Sequence, residues 1–152
     1  MLNEIPAAPG TYLLAFQSDS SGSIQVGRKG RCELVPGYYF YIGSAFGPGG
    51  LRARLKHHYN ISQRPHWHLD YLRPHLTLEK IWYSLDLQRY EHAWAKNMIY
   101  TMQLEIPMPG FGASDCHCDS HFFYSVDLAN DSVMKSALRL KKQKITLETI
   151  TI

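Results

Sequence analysis

Eight residues constrain this chain more than any others. Gly37-Tyr-Tyr-Phe-Tyr-Ile-Gly-Ser44 is aromatic and β-prone, and it reads as an interior strand over Tyr38 to Gly43. Phe46-Gly-Pro-Gly-Gly50 follows at once and forbids regular structure. The chain is thus delivered to a helix over Leu51–Tyr59, where Leu51, Leu55 and Tyr59 recur at i, i+4 and i+8 as one apolar stripe. Arg54 and His58 share an adjacent face by the same spacing. From Leu51 to Leu69 there is no acidic residue, while Arg52, Arg54, Lys56, Arg64, His57, His58, His66 and His68 fall in that window. A basic face of this kind suits a polyanion; the plain alternative is a solvated helix face.

The other segments can be read the same way. Gly10–Gln17 is a strand, Ser18–Gly22 is turn chemistry, and Ser23–Gly27 is the returning strand of a hairpin. Arg31–Val35 is a short strand ended by the Pro36-Gly37 turn. His66–Arg73 reads as a short helix stopped by Pro74, and Leu76–Leu85 as a strand. Gln88–Leu104 is a second long helix with Tyr90, Trp94 and Met98 on one stripe. Pro107–Ser120 is a loop, His121–Val126 a core strand and Asp131–Lys142 a helix. Ile145–Ile152 alternates apolar and polar residues as a terminal strand. The expectation is an α+β domain, a small mixed β-sheet flanked by helices. The order of strands does not follow from this reading. Trp67, Trp82 and Trp94 are expected as core aromatics. Arg139, Lys141, Lys142 and Lys144 read as a solvated helix end.

With 152 residues, 45% hydrophobic and 19% charged, the chain is the size of one domain and can bury a core without staples. The net charge of +3 says less than the distribution of the basic residues. There is no apolar run of about 18 residues to span a membrane. The first residues lack a basic segment followed by an apolar one, as a secretory signal would have. Three cysteines do not make an even disulfide framework. A reducing, cytoplasmic location is therefore expected.

Gly10-Thr11-Tyr12 upstream and Tyr41-Ile42-Gly43 in the Tyr-rich strand, with Arg54 and His58 on the next helix and Glu91 near the start of a later one, resemble the GIY-YIG nuclease superfamily. Thr11 stands for the middle Ile of the first tripeptide. A closer likeness, over Gly10–Tyr124, is to the branch called domain of unknown function 123, sometimes found fused to endonuclease III. It is carried by Val26-Gly27-Arg28, Gly43–Leu51, Pro65-His-Trp-His-Leu-Asp-Tyr71 and Gly110-Phe-Gly-Ala-Ser-Asp-Cys116. The resemblance implies a GIY-YIG-like fold with Ser23–Val35 as an inserted strand pair. It places this domain at residues 1–128, with 129–152 as a helix-strand extension packed on it. It implies a metal-dependent endonuclease hydrolysing DNA phosphodiester bonds, with a place in DNA repair and endonuclease III as a partner. The alternative is a catalytically weak nucleic-acid-binding module on the same scaffold.

The residues can be given roles on that basis. Arg54 would clamp phosphoryl oxygens. Glu91 would hold a divalent metal, Mg²⁺ or Mn²⁺. Tyr12 or Tyr41 would be the general base, with His58 the simpler acceptor at neutral pH; the sequence does not choose among them. Arg52, Lys56 and Arg64 would contact phosphates. Gly43, His66, His68, Asp70 and Asp115 would support the site, Asp70 by holding nearby histidines or capping a turn. Asp115 or Ser114 would replace a C-terminal Asn of the superfamily that has no clear match. Cys116, Cys118 and His121, completed by His66 or His68, lack the spacing of a standard zinc site, so a core-packed loop and no structural zinc are expected. The terminal strand is expected to dock on its own sheet, leaving a monomer.

Overall fold

Side chains alternate across a strand, so a sheet covered on both faces needs apolar residues at every position. The central strand here meets that demand: eight of the nine residues of Gly10–Ser18 are buried. The computed structural model describes residues 2–113, 118–139 and 145–152. In chain order they form β1 (Gly10–Ser18), β2 (Gly22–Val26), β3 (Gly30–Leu34), β4 (Gly37–Ala45), α1 (Gly50–Tyr59), α2 (His68–Leu72), β5 (Thr77–Ser84), α3 (Glu91–Met102), β6 (Phe122–Ser125), α4 (Asp131–Leu138) and β7 (Glu148–Thr151).

The α+β class is as expected. Five strands make one sheet in the order β6-β4-β1-β5-β7, and β2 pairs with β3 as a separate ribbon. The sheet expected to be mixed is antiparallel at every pairing. The reason is that β4 and β5, joined by α1 and α2, run parallel to each other but are separated by β1. β2 pairs with β3, as expected of an inserted strand pair over Ser23–Val35, and not with β1 as the returning strand of its hairpin.

One face of the sheet presents Tyr12, Leu14, Phe16, Tyr39, Tyr41 and Ile81 to α1, α2, the β2–β3 ribbon and the Met108–Phe111 loop. The other presents Leu13, Ala15, Phe40, Ile42 and Trp82 to α3 and α4, whose Trp94, Met98, Met134 and Leu138 complete that core. Gly10 marks a close approach: a Cβ there would lie 2.2 Å from the Ser84 carbonyl oxygen and 2.6 Å from Leu51 Cδ1.

Several boundaries differ from the periodicity. The helix expected from Gln88 begins at Glu91. Thr11 supplies the reason, since its buried hydroxyl accepts the Tyr90 N–H at 3.2 Å and fixes the entry to α3. Pro74 does not end the chain's helical path; it sits inside a 3₁₀ turn, Arg73–His75, that follows α2. The N-terminal N–H groups of α1 are taken by backbone, Leu51 donating to Ala8 and Arg52 to Pro6. β7 pairs with β5, setting Ile150 opposite Ile81. Of the predicted features, Ser114, Asp115, Cys116, Lys141, Lys142 and Lys144 lie outside the described residues. Among the described residues no helix is long and apolar enough to cross a membrane.

Candidate active site

The register of β1 on β4 builds the floor of the site. Tyr12 lies opposite Gly43, and a Cβ on Gly43 would fall 2.3 Å from the Tyr12 hydroxyl. Glycine at position 43 is what lets the Tyr12 ring lie across the neighbouring strand. Tyr41, two residues earlier, points to the same side, its ring 6.4 Å from that of Tyr12. Together with Ser44, Arg54, Trp67, Arg89, Glu91 and His92 they line one cleft of about 560 Å³.

Ser44 links the clamp to the carboxylate. Its backbone carbonyl accepts from Arg54 Nη1 at 3.1 Å, and its hydroxyl donates to Glu91 Oε1 at 2.9 Å. α3 packs on the opposite face of the sheet, yet Glu91 is its first residue and reaches past the strand ends to the same cleft as Arg54. Glu91 is the one carboxylate among the described lining residues. The Arg54 guanidinium also stacks 4.4 Å over the Trp67 ring. Trp67 was expected in the core. It is half-buried at the cleft because it precedes α2, where His57 and His66 pack against it at 4.7 and 4.8 Å.

His58 lies beneath the cleft. It is 1% exposed, and its Nε2 is 2.8 Å from the Tyr12 hydroxyl. Burial pushes its imidazole down to about 3, so it is neutral. Its Nδ1 has no hydrogen-bond partner among the described residues. Burial also pushes the Tyr12 phenol well above its ordinary value, as does neighbouring Tyr41, while the positive charge of Arg54 opposes the shift. Burial raises Tyr41 as well. Arg73, buried, holds the His58 turn by donating to the carbonyls of His58 and Tyr59 at 2.5 and 2.8 Å.

Asp70 braces the wall. Its carboxylate accepts the N–H groups of His66 at 2.8 Å and Trp67 at 3.0 Å, and its other oxygen meets His57 Nε2 at 2.9 Å. Burial would raise its pKa, but these donors outweigh burial and hold the carboxyl below its usual range. His68 accepts the Gly112 N–H at Nδ1, at 2.9 Å, and so ties α2 to the Gly110–Gly112 loop. Neither His66 nor His68 approaches Cys118 and His121 as the zinc reading had it; His92 does, with its Nδ1 3.2 Å from Cys118 Sγ.

Tyr12, Tyr41, Gly43, Arg54 and Glu91 are thus brought together, with His58 behind them. Arg52, Lys56 and Arg64 are exposed and do not line the cleft, and Arg52 Nε is committed to the Ile5 carbonyl at 2.7 Å. Sequence reasoning missed Ser44, Trp67, Arg89 and His92 as lining residues. Ser44 directly follows the second tripeptide, and Arg89 and His92 flank Glu91, so adjacency was the available signal. Trp67 carried none.

These features define an α+β domain with a Tyr-Arg-Glu cleft at the strand ends. The chain belongs to the family described as Domain of unknown function DUF123, which it matches over residues 11–143. That match continues past Tyr124, where the likeness read from sequence stopped, and takes in α4. Searches of curated proteins and of solved structures found no match.

Proposed function

We propose that this chain is a metal-dependent endonuclease of the GIY-YIG type that hydrolyses DNA phosphodiester bonds. The observation that carries the reading is the convergence of Arg54 and Glu91 on Ser44, at the rim of a cleft floored by Tyr12 and Tyr41. A phosphate in that cleft meets a planar cation suited to its oxygens. Glu91 fits a hard cation, because Mg²⁺ or Mn²⁺ takes one carboxylate plus waters and substrate phosphate. The metal would supply Lewis-acid and template chemistry.

The buried Tyr12–His58 pair handles the proton in this reading. His58 Nε2, unprotonated at neutral pH, accepts the Tyr12 hydroxyl proton as Tyr12 takes one from the attacking water. Tyr12 is neutral before and after the step; the positive charge falls on His58, whose burial disfavours it and drives the proton back out once the water has attacked. Trp67 offers a base an aromatic face beside the clamp. The reading extends to a cytoplasmic monomer in DNA repair, with endonuclease III as a partner and phosphate contacts from Arg52, Lys56 and Arg64.

One observation favours a second reading, a nucleic-acid-binding module with little catalysis. Both phenols are pushed away from the range of an efficient base at neutral pH. The two readings separate on incubation with plasmid, flapped and abasic DNA, with Mg²⁺ or Mn²⁺ present and absent. Metal-dependent cleavage supports the enzyme. Salt-sensitive binding with no cleavage on any substrate supports the module.

A further inference from the structure

His92, Cys118 and His121 come from two elements that have no local relation in sequence. His92 is the second residue of α3, and Cys118 and His121 lie on the approach to β6. Their ligand atoms all fall within 4.8 Å of one another. His92 Nδ1 and Cys118 Sγ are 3.2 Å apart, and the two imidazole rings are 5.5 Å apart between centroids. Ligands on a tetrahedral zinc, with bonds of roughly 2.0–2.3 Å, stand about 3.5 Å from each other. The group needs only a small contraction to reach that geometry.

We propose that His92, Cys118 and His121 form a zinc site beside Glu91. Donor chemistry selects the ion: two imidazoles and a thiolate suit Zn²⁺ and not Mg²⁺ or Mn²⁺. The ligands are held in advance. The His121 N–H donates to the Phe111 carbonyl at 2.8 Å, and its carbonyl accepts from Ile42 at 2.9 Å. The Asp119 carbonyl accepts the Gly110 N–H at 2.7 Å. Glu91 stands 3.8 Å from His121 Nδ1 and 3.9 Å from His92 Nε2, and closing either gap to hydrogen-bond distance would let it orient that imidazole on the metal. The His92 side chain is 53% exposed and borders both the cleft and a second hollow of about 490 Å³ that Cys118 also lines, so an ion has a way in. Among the described residues three ligands are supplied, and a tetrahedral zinc takes a fourth. Zinc here would fasten the start of α3 to the β6 approach, and with it Glu91. The site itself does not depend on the nuclease reading.

The test uses the full-length chain without DNA. After exposure to Zn²⁺ and removal of free metal, the protein should retain one zinc per chain. With Co²⁺ in its place, it should show a tetrahedral visible spectrum and a thiolate-to-cobalt charge-transfer band. Cys118→Ser should remove that band, and His92→Ala, at an exposed position that tolerates truncation, should weaken zinc binding at least about tenfold. Circular dichroism of each variant separates metal loss from unfolding. No retained zinc in the wild-type chain overturns the proposal, and so does wild-type binding in both variants. Loss of zinc in Cys116→Ser with unaltered binding in His92→Ala would place the ion within the Cys-x-Cys segment and also overturn it. Magnesium-dependent cleavage is scored separately, so either proposal can fail alone.

Discussion

Along β1, Leu13 and Ala15 face α3 and α4, while Tyr12, Leu14 and Phe16 face α1 and α2. The first face is close to an ordinary apolar core, with Phe40, Ile42, Trp82, Trp94 and Met98 filling it. The second buries His58, Asp70 and Arg73 among its apolar residues, and Tyr12 and Tyr41 with them. Most of their polar atoms are paired, His58 Nε2 with Tyr12, Asp70 with two backbone N–H groups and Arg73 with three carbonyls, while His58 Nδ1 has no partner among the described residues. Buried polar groups cost free energy unless paired, so a face carrying this many is held for something besides stability. Under the proposed function the same strands supply one face for cohesion and one for chemistry, and substitutions on the two should fail in different ways.

The largest effect should come from Glu91→Gln. Cleavage supported by Mg²⁺ should fall by a factor on the order of 10²–10³ or more, while DNA affinity stays nearly intact, since a carboxylate makes little favourable contact with a polyanion. Plasmid nicking and equilibrium binding measure the two quantities. Undiminished nicking removes Glu91 from the mechanism and breaks the division between the faces.

Two tryptophans sharpen the division. Trp94 is fully buried on the apolar face, and Trp94→Ala should cost about 3–5 kcal/mol of stability. Trp67 is only half-buried, and Trp67→Ala should cost less than about 1 kcal/mol while lowering DNA affinity and cleavage. Urea unfolding of the two variants checks this. Equal losses of stability would put Trp67 back in the core.

His58 gives an effect that appears only below neutral pH. Burial holds it at about 3 in the folded chain, against about 6.5 when unfolded. The unfolded state takes up the proton first. The contribution of His58 to stability is therefore complete above about pH 6.5 and is lost as pH falls toward 3, at no more than about 1.4 kcal/mol per pH unit. His58→Gln should flatten the pH dependence of urea unfolding in this window. Identical slopes for the two proteins would show that His58 does not carry it.

The smallest effect on cleavage should follow truncation after Lys144, which removes β7 with half-buried Ile150 and, from the opposite core, buried Ile145. A loss of roughly 3–4 kcal/mol of stability is expected, with cleavage per folded molecule unchanged, because no cleft residue lies in the removed segment. Sedimentation should show a monomer before and after. A dimer that dissociates on truncation would assign β7 to a second copy.

Much of the fold was legible because periodicity reports burial. The β-prone aromatic run in Gly37–Ser44 placed β4 to within two residues and the Leu51–Leu55 spacing placed α1 to within one, although Tyr59, expected on the same apolar stripe, is exposed and His58 is buried in its stead. The two tripeptides, Arg54 and Glu91 were legible as a set, and Tyr12, Tyr41, Gly43, Arg54 and Glu91 line the cleft, while Gly10, Thr11 and Ile42 serve the packing of β1 and β4. Trp67 was misjudged because an aromatic residue buried against a core and one stacked under a guanidinium look alike in sequence. The start of α3 was misjudged because its limit is a hydroxyl on β1, not a signal in Gln88–Tyr90.

The sequence by itself determined which segments are strands and helices, which of their residues turn inward, and that a basic helix follows a Tyr-rich strand. Only the tertiary structure decided the order β6-β4-β1-β5-β7. It alone set His58 on Tyr12 across 46 residues, Glu91 on Ser44 across 47, and Tyr90 on Thr11 across 79. It alone replaced His66 and His68 with His92 beside Cys118 and His121. The physical reason is that period and composition state how far a side chain must leave water, whereas its partner is chosen by strand register and helix placement.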